Sequence, residues 1–225
     1  MIKNIIFDMG GVLITIDHDE AVRRFEEIGI DEASHMLDPY TQGGPFGKLE
    51  NGYMISPDFI EEMSHLAGHK LSYDDCAYGW LGYAKDAPQR NFELLQNLRE
   101  KGFRLILLSN MNPFVNAWLE AEYTLPQKYA KAARNGFWQP HFPVGKPLSS
   151  FFDSCYRSFE IRMMKPDPRV FNLILEREKI PAEETLLVDD GPRNCAAAKK
   201  LGINTMQPVN GKDWTKDLIK LLADF

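Results

Sequence analysis

Three short apolar runs recur along the chain, and each one stops abruptly at polar residues. They cover residues 2–7, 103–108 and 185–188. Runs of this length without polar alternation are typical of strands that are buried on both faces of a parallel sheet. Helical patterns separate the runs, so we predict an α/β fold with a doubly wound parallel sheet and right-handed crossovers.

Amphipathic patterns and cap signals predict the helices between these strands. Serine stands near the expected start of two of them, at Ser56 and Ser72, and Gly102 is the expected C-terminal cap of another. Two further strands are predicted at residues 151–154 and 203–206. The predicted helices cover residues 19–28, 31–37, 57–66, 73–81, 89–101, 168–179 and 194–201.

Polar side chains follow the apolar runs at the point where each predicted strand ends. Asp8 comes after the first run, Ser109 and Asn110 come after the second, and Asp189 and Asp190 come after the third. In open α/β sheets, ligands bind in the crevice at the carboxyl ends of the strands. We therefore expect these five residues to share one crevice.

The residue types in this set fit the hydrolysis of a phosphate monoester. A carboxylate such as Asp8 can attack phosphorus and form an aspartyl-phosphate if cations offset the phosphoryl charge. Mg²⁺ prefers oxygen ligands, which Asp189 and Asp190 supply. Lys165, in a Met-Lys-Pro-Asp-Pro segment, supplies a fixed cation. Together they predict a magnesium-dependent phosphatase site with Asp8 as the nucleophile.

Other residues near the strand ends complete the predicted site. Ser109 and Asn110 can donate hydrogen bonds to phosphoryl oxygens, and Asn194 can brace the acidic pair from one helical turn further on. Gly10 and Gly11 leave the main chain open to a metal or a phosphate. Each residue taken alone has an ordinary structural explanation, such as a turn or a helix cap. Their occurrence together and in this order favours an active site.

Charge and composition exclude several other classes of protein. A formal net charge of −6 argues against a dedicated nucleic-acid binder, and no apolar run approaches the 18 or so residues of a membrane span. The first acid, Asp8, comes too early for a signal peptide. Cys76, Cys155 and Cys195 form no CxxC pair, which favours reduced thiols. We expect a cytoplasmic protein, monomeric or homodimeric, that acts on a small phosphorylated metabolite.

Residues 124–150 depart from the strand and helix rhythm and form a long insertion after the second predicted strand. The segment carries four prolines together with Trp138 and Phe142. Loops of this length are uncommon unless they have a function or are disordered. The aromatic residues favour an ordered loop, and a lid, an oligomer contact and a packed surface excursion all remain open.

The motifs together resemble those of the haloacid dehalogenase (HAD) superfamily. They are residues 5–13, residues 107–110, Lys165-Pro166 and residues 187–194, and they span nearly the whole chain. The sequence is similar to the α-D-glucose-1-phosphate phosphatase branch and to the N-terminal phosphatase domain of epoxide hydrolases. Residues 52–56 and Gly79-Trp80 resemble features of the helical cap in that branch.

The resemblance implies a domain organisation and a set of roles. It implies a Rossmann-like core at residues 1–15 and 87–225, with a small helical cap inserted at residues 16–86. It implies Mg²⁺ as the cofactor and Asp189 as the outer partner of the metal site. The direct roles that it implies are nucleophile for Asp8, metal ligands for the Gly10 carbonyl and Asp190, and phosphate ligands for Ser109 and Lys165.

One position departs from the family pattern. Most phosphatases of this superfamily carry a second aspartate two residues after the nucleophile, where it protonates the leaving group, and this chain has Gly10 there. General acid–base help is worth about 10²–10⁴-fold, so a slow enzyme is expected unless another group substitutes. Asp17, His18 and Asp19 lie close by in the sequence and could substitute, but an ordinary role at the cap junction or at a helix start is the favoured explanation for them.

Two other functions stay open at this stage. A 2-haloacid dehalogenase also uses an aspartate nucleophile and lacks the second aspartate, but the Asp189-Asp190 pair argues for a cation beside Asp8. A catalytically weak HAD-like protein could instead keep the pocket for phosphate binding or regulation. Substrate selectivity is expected to depend on cap side chains. The candidates are Tyr53, Phe46, Trp80 and His65, although packing within the cap is the favoured explanation for each of them.

Overall fold

The structure is a computed structural model that describes residues 1–37, 43–131 and 138–223. Its strands follow the apolar runs that the sequence analysis singled out, with short additions between them. The strands are β1 (Asn4–Phe7), β2 (Thr15–Ile16), β3 (Ala84–Asp86), β4 (Arg104–Ser109), β5 (Ser154–Arg157), β6 (Thr185–Val188) and β7 (Asn204–Met206).

A parallel sheet with the strand order β5-β4-β1-β6-β7 forms the centre of the molecule. Strand β1 pairs with β4 on one side and with β6 on the other, so that Ile5 lies beside Leu105 and Leu186. From β1 the chain winds outward through β4 and β5 and then, in the opposite direction, through β6 and β7. Open α/β sheets bind their ligands at such a reversal of strand order. The predicted doubly wound sheet is confirmed.

Alternate residues of the central strands enter two separate cores, one on each face of the sheet. Ile5, Phe7 and Leu107 belong to the larger core, whereas Ile6 and Leu187 belong to the smaller one. All five side chains are fully buried. Burial on both faces explains why the sequences of these strands are continuous apolar runs and do not alternate between apolar and polar residues.

Helices cover both faces of the sheet and build most of the region between β2 and β3. The helices are α1 (His18–Glu27), α2 (Ala33–Met36), α3 (Gly44–Glu50), α4 (Ser56–Ala67), α5 (Tyr73–Trp80), α6 (Gln89–Glu100), α7 (Pro113–Leu119), α8 (Ser158–Ile161), α9 (Pro168–Glu178), α10 (Pro192–Lys200) and α11 (Thr215–Ala223). Shorter 3₁₀ turns cover Leu81–Tyr83, Gln127–Lys131, Leu148–Phe151 and Ala182–Glu184.

Helices α1 to α5 lie between two short strands that pair with each other. The antiparallel pairing of β2 with β3 places Thr15 opposite Asp86, which brings the start and the end of this helical region together. Aromatic rings fill its interior: Phe25 lies edge-on to Phe46 at 4.8 Å and to Trp80 at 5.6 Å between ring centroids. The assignment of residues 16–86 as an inserted cap stays a prediction that fits this geometry.

Some predicted boundaries differ from those in the structure. The strand predicted at residues 151–154 lies at Ser154–Arg157, because a 3₁₀ turn occupies Leu148–Phe151. Ser56 is the first residue of α4 rather than its cap, and Ile55 takes the cap position without a side-chain hydrogen bond. In both places a neighbouring proline moves the element boundary, because its fixed φ favours the first turn of a helix.

The other serine cap is confirmed. Ser72 Oγ accepts a hydrogen bond from the Asp75 main-chain N–H at 3.3 Å, and the Asp75 carboxylate accepts one from the Ser72 N–H at 2.7 Å. This reciprocal pair is the capping box, which satisfies two main-chain donors at the start of α5.

Part of the predicted insertion at residues 124–150 packs against the helices. Tyr129 donates a hydrogen bond to the Asp75 carboxylate at 2.6 Å, and Phe142 is buried against aromatic rings of α6 and α7. Residues 132–137 lie outside the described residues. The described parts therefore form an ordered surface segment, and a role as a lid or an oligomer contact stays a prediction.

None of the helices in the described part of the chain has the length and apolar character needed to cross a bilayer. Cys76, Cys155 and Cys195 are free thiols.

Candidate active site

The carboxyl ends of the central strands bring the acidic residues of the sequence analysis to one crevice. Asp8 follows β1, and Asp189 and Asp190 follow β6. Lys165 reaches the same place from the segment between α8 and α9. The crevice lies at the reversal of strand order around β1, where parallel α/β sheets usually bind ligands.

The ammonium group of Lys165 links two carboxylates. Its Nζ lies 2.9 Å from Asp8 Oδ2 and 2.6 Å from Asp189 Oδ2. The Met9 main-chain N–H donates a hydrogen bond of 2.7 Å to the other oxygen of Asp8, Oδ1. Both oxygens of Asp8 therefore have a donor, and these two contacts fix the orientation of the carboxylate.

Asp189 is buried completely and makes several contacts. Its Oδ1 accepts hydrogen bonds from the Gly191 N–H at 2.8 Å and from Asn194 Nδ2 at 2.9 Å, while its Oδ2 accepts from Lys165. A carboxylate held by three donors can orient its neighbours. This geometry fits the predicted role of Asp189 as the outer partner, with Asn194 as its brace.

Asp190 approaches the turn that follows β1 so closely that only glycine fits at the position opposite its carboxylate. Gly11 has φ = +72°, and a Cβ at that position would lie 2.1 Å from Asp190 Oδ2. The carboxylate lines the same cavity as Asp8 and the main chain of Gly10. Gly11 therefore provides both the tight turn after β1 and the space that Asp190 occupies.

The electrostatics of the cluster favour a bound cation. Carboxylate oxygens of Asp8, Asp189 and Asp190 lie within 4.8 Å of one another. Burial raises the pKa of Asp8 to about 7, with Lys165 opposing the rise and the other two carboxylates adding to it. Burial, and then Asp189, raise the pKa of Asp190 to about 6. A divalent cation at this point would stabilise the ionised forms, and an all-oxygen ligand set suits Mg²⁺.

Lys165 stays charged in this environment. Burial on its own would lower the pKa of the ammonium group, but the carboxylates of Asp189 and Asp8 outweigh it and raise that pKa. When all three carboxylates of the cluster are ionised, the single ammonium group leaves two negative charges to be offset, which is the charge of one divalent cation.

The two polar residues at the end of β4 occupy different positions. Asn110 clamps the main chain of Lys165: its Nδ2 donates to the Lys165 carbonyl and its Oδ1 accepts from the Lys165 N–H, both at 2.9 Å. Ser109 is buried, its hydroxyl lies 3.3 Å from the Asn110 carbonyl, and it is not among the residues that line the cavity. Asn110 therefore positions Lys165, and phosphate binding by Ser109 and Asn110 stays a prediction.

A cavity of about 120 Å³ opens beside the carboxylate cluster. Its lining combines charged and polar groups with apolar side chains, a combination that suits a small ligand with one charged end. Its lining consists of Asp8, Met9, Gly10, Ile16, Glu50, Trp80, Tyr83, Asn110, Met111, Asn112, Val115, Lys165, Asp190 and Asn194.

Two polar residues of this lining, Glu50 and Asn112, were not predicted from the sequence. Glu50 ends α3, a helix that Gly44, Pro45 and Gly47 concealed because these residues are typical of turns. A signal was present nonetheless. Glu50 stands four residues after Phe46, on the buried side of the helix, and an acid on an apolar stripe is a candidate for a special environment.

The candidate substitutes for the missing aspartate are not among the residues that line the cavity. Asp17 caps α1 by accepting a hydrogen bond from the Glu20 N–H at 3.1 Å. His18 Nε2 is within hydrogen-bonding distance of the Leu37 carbonyl, and the Asp19 side chain is fully exposed. The observed contacts of Asp17, His18 and Asp19 are those of ordinary residues at the start of a helix.

Among the four cap side chains considered for specificity, Trp80 lines the cavity. Phe46 is buried in the aromatic interior of the helical region, whereas Tyr53 is 70% exposed and His65 is also exposed. Trp80 is therefore the member of this set that lines the crevice.

The raised pKa values of Asp8 and Asp190 predict how the free energy of unfolding depends on pH. Between pH 5 and 7, the folded state holds protons on Asp8 and Asp190 that the unfolded chain has released. The free energy of unfolding should then fall with rising pH, by on the order of 3 kcal/mol. Urea denaturation in a chelating buffer would measure this fall. Added Mg²⁺ should reduce it, and a pH-independent stability would contradict the assignment.

Comparisons with known proteins agree with this geometry. A family model described as haloacid dehalogenase-like hydrolase matches residues 2–202. A D-ribitol-5-phosphate phosphatase from Bacteroides thetaiotaomicron is 36% identical over 223 residues, which cover 99% of each chain.

Two solved structures resemble the whole chain. A HAD-like family hydrolase from Porphyromonas gingivalis has a TM-score of 0.85 at 36% identity, covering 99% of this chain and 98% of that one. A HAD family enzyme from Bacteroides thetaiotaomicron, in complex with magnesium and inorganic phosphate, has a TM-score of 0.78 at 29% identity, with 96% and 98% coverage.

Proposed function

The chain belongs to the haloacid dehalogenase-like hydrolases, and from that premise we propose that it is a magnesium-dependent phosphatase of a small sugar phosphate or sugar-alcohol phosphate. The observation that carries this proposal is the position of the Lys165 ammonium between Asp8 and Asp189, with Asp190 beside them. This arrangement offers a nucleophile, a fixed cation and ligands for a metal within one crevice.

Mg²⁺ is the cofactor, and when bound it would offset the charge of the phosphoryl group and of the carboxylate cluster. Asp8, Asp190 and the carbonyl of Gly10 are the groups that would hold it. Asp189 would support the site through Lys165 rather than through the metal, because its own oxygens already accept three hydrogen bonds.

The protein's own residues account for the first chemical step. A carboxylate oxygen of Asp8 attacks phosphorus, the bond to the ester oxygen breaks, and an aspartyl-phosphate remains on Asp8. Lys165 favours the ionised form of Asp8 and provides positive charge near the transferred group. Because burial holds the pKa of Asp8 near 7 without a metal, part of the nucleophile would be protonated at neutral pH. This supports a requirement for a divalent cation.

The proposed substrate class follows from the cavity and from the related phosphatase. The cavity is small, with a charged end at Asp8 and Lys165 and a mixed wall that includes Trp80 and Glu50. A five- or six-carbon phosphate has one dianionic end and a chain of hydroxyl groups, which suits such a wall. D-ribitol 5-phosphate, the substrate in the name of the relative, is the first compound to test.

The test is phosphate release from a panel of sugar and sugar-alcohol phosphates and from an aryl phosphate, in Mg²⁺ and in a chelating buffer. Release that depends on Mg²⁺ is the expected result. No release from any compound in Mg²⁺ would overturn the proposal. Chloride release from 2-chloropropionate would then support the dehalogenase function, and phosphate binding without turnover would support the regulatory one.

A further inference from the structure

We propose that Glu50 is the catalytic acid of this enzyme, which protonates the leaving oxygen and then activates the attacking water. The inference rests on the phosphatase function proposed above. It assigns to Glu50 the proton transfer that an aspartate performs at position 10 in most phosphatases of this superfamily. This chain has glycine at that position.

The position of Glu50 carries the inference. Glu50 is the last residue of α3, is 7% exposed, and lines the same cavity as Asp8, Lys165 and Asp190. Among the cavity-lining residues in the described ranges, the carboxyl groups are those of Asp8, Asp190 and Glu50. The first two belong to the nucleophile and metal cluster, which leaves Glu50 as the acid for proton transfer.

Because Gly10 has no side chain, there is free space beside it in the cavity. A Cβ built on Gly10 would meet a single neighbour within 4 Å, a methyl group of Ile16 at 3.4 Å. No other part of the described chain fills the place where a side chain at position 10 would begin. A leaving group could therefore occupy that space within the cavity that Glu50 also lines.

Asn112 holds Glu50 in place. Asn112 Oδ1 accepts hydrogen bonds from the main-chain N–H groups of Phe114 and Val115, both at 3.1 Å, as the cap of α7. This leaves the Asn112 amide N–H group available to donate to Glu50, and Asn112 is close enough to that carboxyl group to influence its pKa. An amide donor satisfies one carboxyl oxygen, so the second oxygen can carry a proton.

The environment keeps that proton on Glu50. Burial raises the pKa of Glu50 to about 8, and the hydrogen bond from Asn112 opposes the rise only in part. Helices α4 and α8 pack against α3. The ionisable groups of these two helices, together with Lys48 of α3 itself, are exposed to water, which weakens the effect of their charges on Glu50. These groups are Lys48, Asp58, Glu61, Glu62, His65 and Glu160. Glu50 is therefore a neutral acid at neutral pH, as a proton donor must be.

The proton balance closes over one turnover. As Asp8 attacks phosphorus, the electron pair of the breaking P–O bond goes to the ester oxygen, which takes the proton of Glu50 and departs as an alcohol. The Glu50 carboxylate then takes a proton from water while the water oxygen attacks the aspartyl-phosphate. The bond between phosphorus and Asp8 breaks, inorganic phosphate forms, and Glu50 is neutral again.

The test compares leaving groups in Glu50→Gln, a nearly isosteric variant that cannot donate this proton. An alkyl phosphate needs protonation of its leaving oxygen, whereas 2,4-dinitrophenyl phosphate does not. We expect kcat/KM for the alkyl phosphate to fall by about 10²–10⁴-fold, and kcat/KM for the dinitrophenyl ester to stay within about threefold of wild type. The variant should also accumulate aspartyl-phosphate, because hydrolysis of that intermediate needs the same residue as a base.

The outcomes separate this inference from the proposed function. Turnover of neither ester by the wild-type enzyme would remove the phosphatase function itself. Wild-type activity with an equal loss on both esters in Glu50→Gln would assign Glu50 to substrate binding or to folding and overturn its role as an acid. An unchanged alkyl rate would overturn it as well. Glu62→Gln, at an exposed glutamate of α4, is the matched control and should leave both rates unchanged.

Discussion

Replacing Asp8 with asparagine is expected to lower kcat for every phosphate ester by at least 10⁴-fold, since loss of a nucleophile costs on the order of 10⁶ in enzymes that work through a covalent intermediate. The amide oxygen of Asn can still accept the hydrogen bond from Met9, but it cannot attack phosphorus. Steady-state phosphate release with Mg²⁺ would measure the loss. When the substrate carries a labelled phosphate group, we expect no label to become attached to the variant protein.

The fold should survive this change. Lys165 keeps its contact with Asp189 at 2.6 Å. Removal of the Asp8 carboxylate also removes its repulsion with Asp189 and Asp190, which adds to burial in raising the pKa of Asp8. In a chelating buffer at pH 7.5, we therefore expect the Tm of Asp8→Asn to equal or exceed that of the wild type. Asp217→Asn, at an exposed aspartate of α11, is the control. More than about a tenth of wild-type activity in Asp8→Asn would contradict the role of Asp8.

The central sheet could be predicted because its strands are buried on both faces. Continuous apolar runs such as residues 185–188 have few alternative conformations in a folded protein, and the polar residue that ends each run marks the edge of the sheet. Asp8 and Asp189 could therefore be assigned to one crevice without knowledge of any side-chain contact. The parallel register then fixes their separation to within a few ångströms.

One part of the helical region, helix α3, was harder to predict because its local sequence signals contradict its tertiary structure. Helix α3 contains Gly44, Pro45 and Gly47, residues that usually indicate a turn, and it is stabilised by burial of Phe46 among aromatic rings from other helices. The predicted helix at residues 31–37 is shortened to Ala33–Met36. Tertiary packing accounts for α3, and contacts between residues that are distant in the sequence cannot be predicted from local patterns.

The same limit applies to Glu50 and Asn110. Glu50 enters the site only because a helix distant from β1 in sequence folds over the crevice, so no spacing relative to Asp8 indicates it. Asn110 stands where a phosphate ligand was expected, but its amide is used to hold the main chain of Lys165. Sequence motifs locate the residues of a site, whereas the hydrogen-bond partners that decide their roles depend on the folded structure.

Replacing Lys165 with methionine is expected to affect stability and catalysis together. Its side chain is 1% exposed, and without its ammonium group Asp8 and Asp189 would be buried with no opposite charge. Breaking a buried ion pair by removing one partner costs about 3–5 kcal/mol. We also expect kcat/KM to fall by on the order of 10²–10³-fold, because a fixed cation no longer stabilises the transferred phosphoryl group.

The pH and metal dependence of that loss identify its cause. If repulsion between carboxylates destabilises Lys165→Met, the loss of unfolding free energy should be largest near pH 8 and should shrink towards pH 5, where Asp8 and Asp190 take up protons. Mg²⁺ should restore part of the stability at pH 8, because it replaces the missing positive charge. Urea denaturation at both pH values, with and without Mg²⁺, tests this against Lys70→Met, an exposed lysine whose replacement should change stability by less than about 0.5 kcal/mol. A loss of equal size at both pH values and insensitive to Mg²⁺ would instead assign Lys165 to packing, since the van der Waals contacts of its alkyl chain do not depend on the charge of the neighbouring carboxylates.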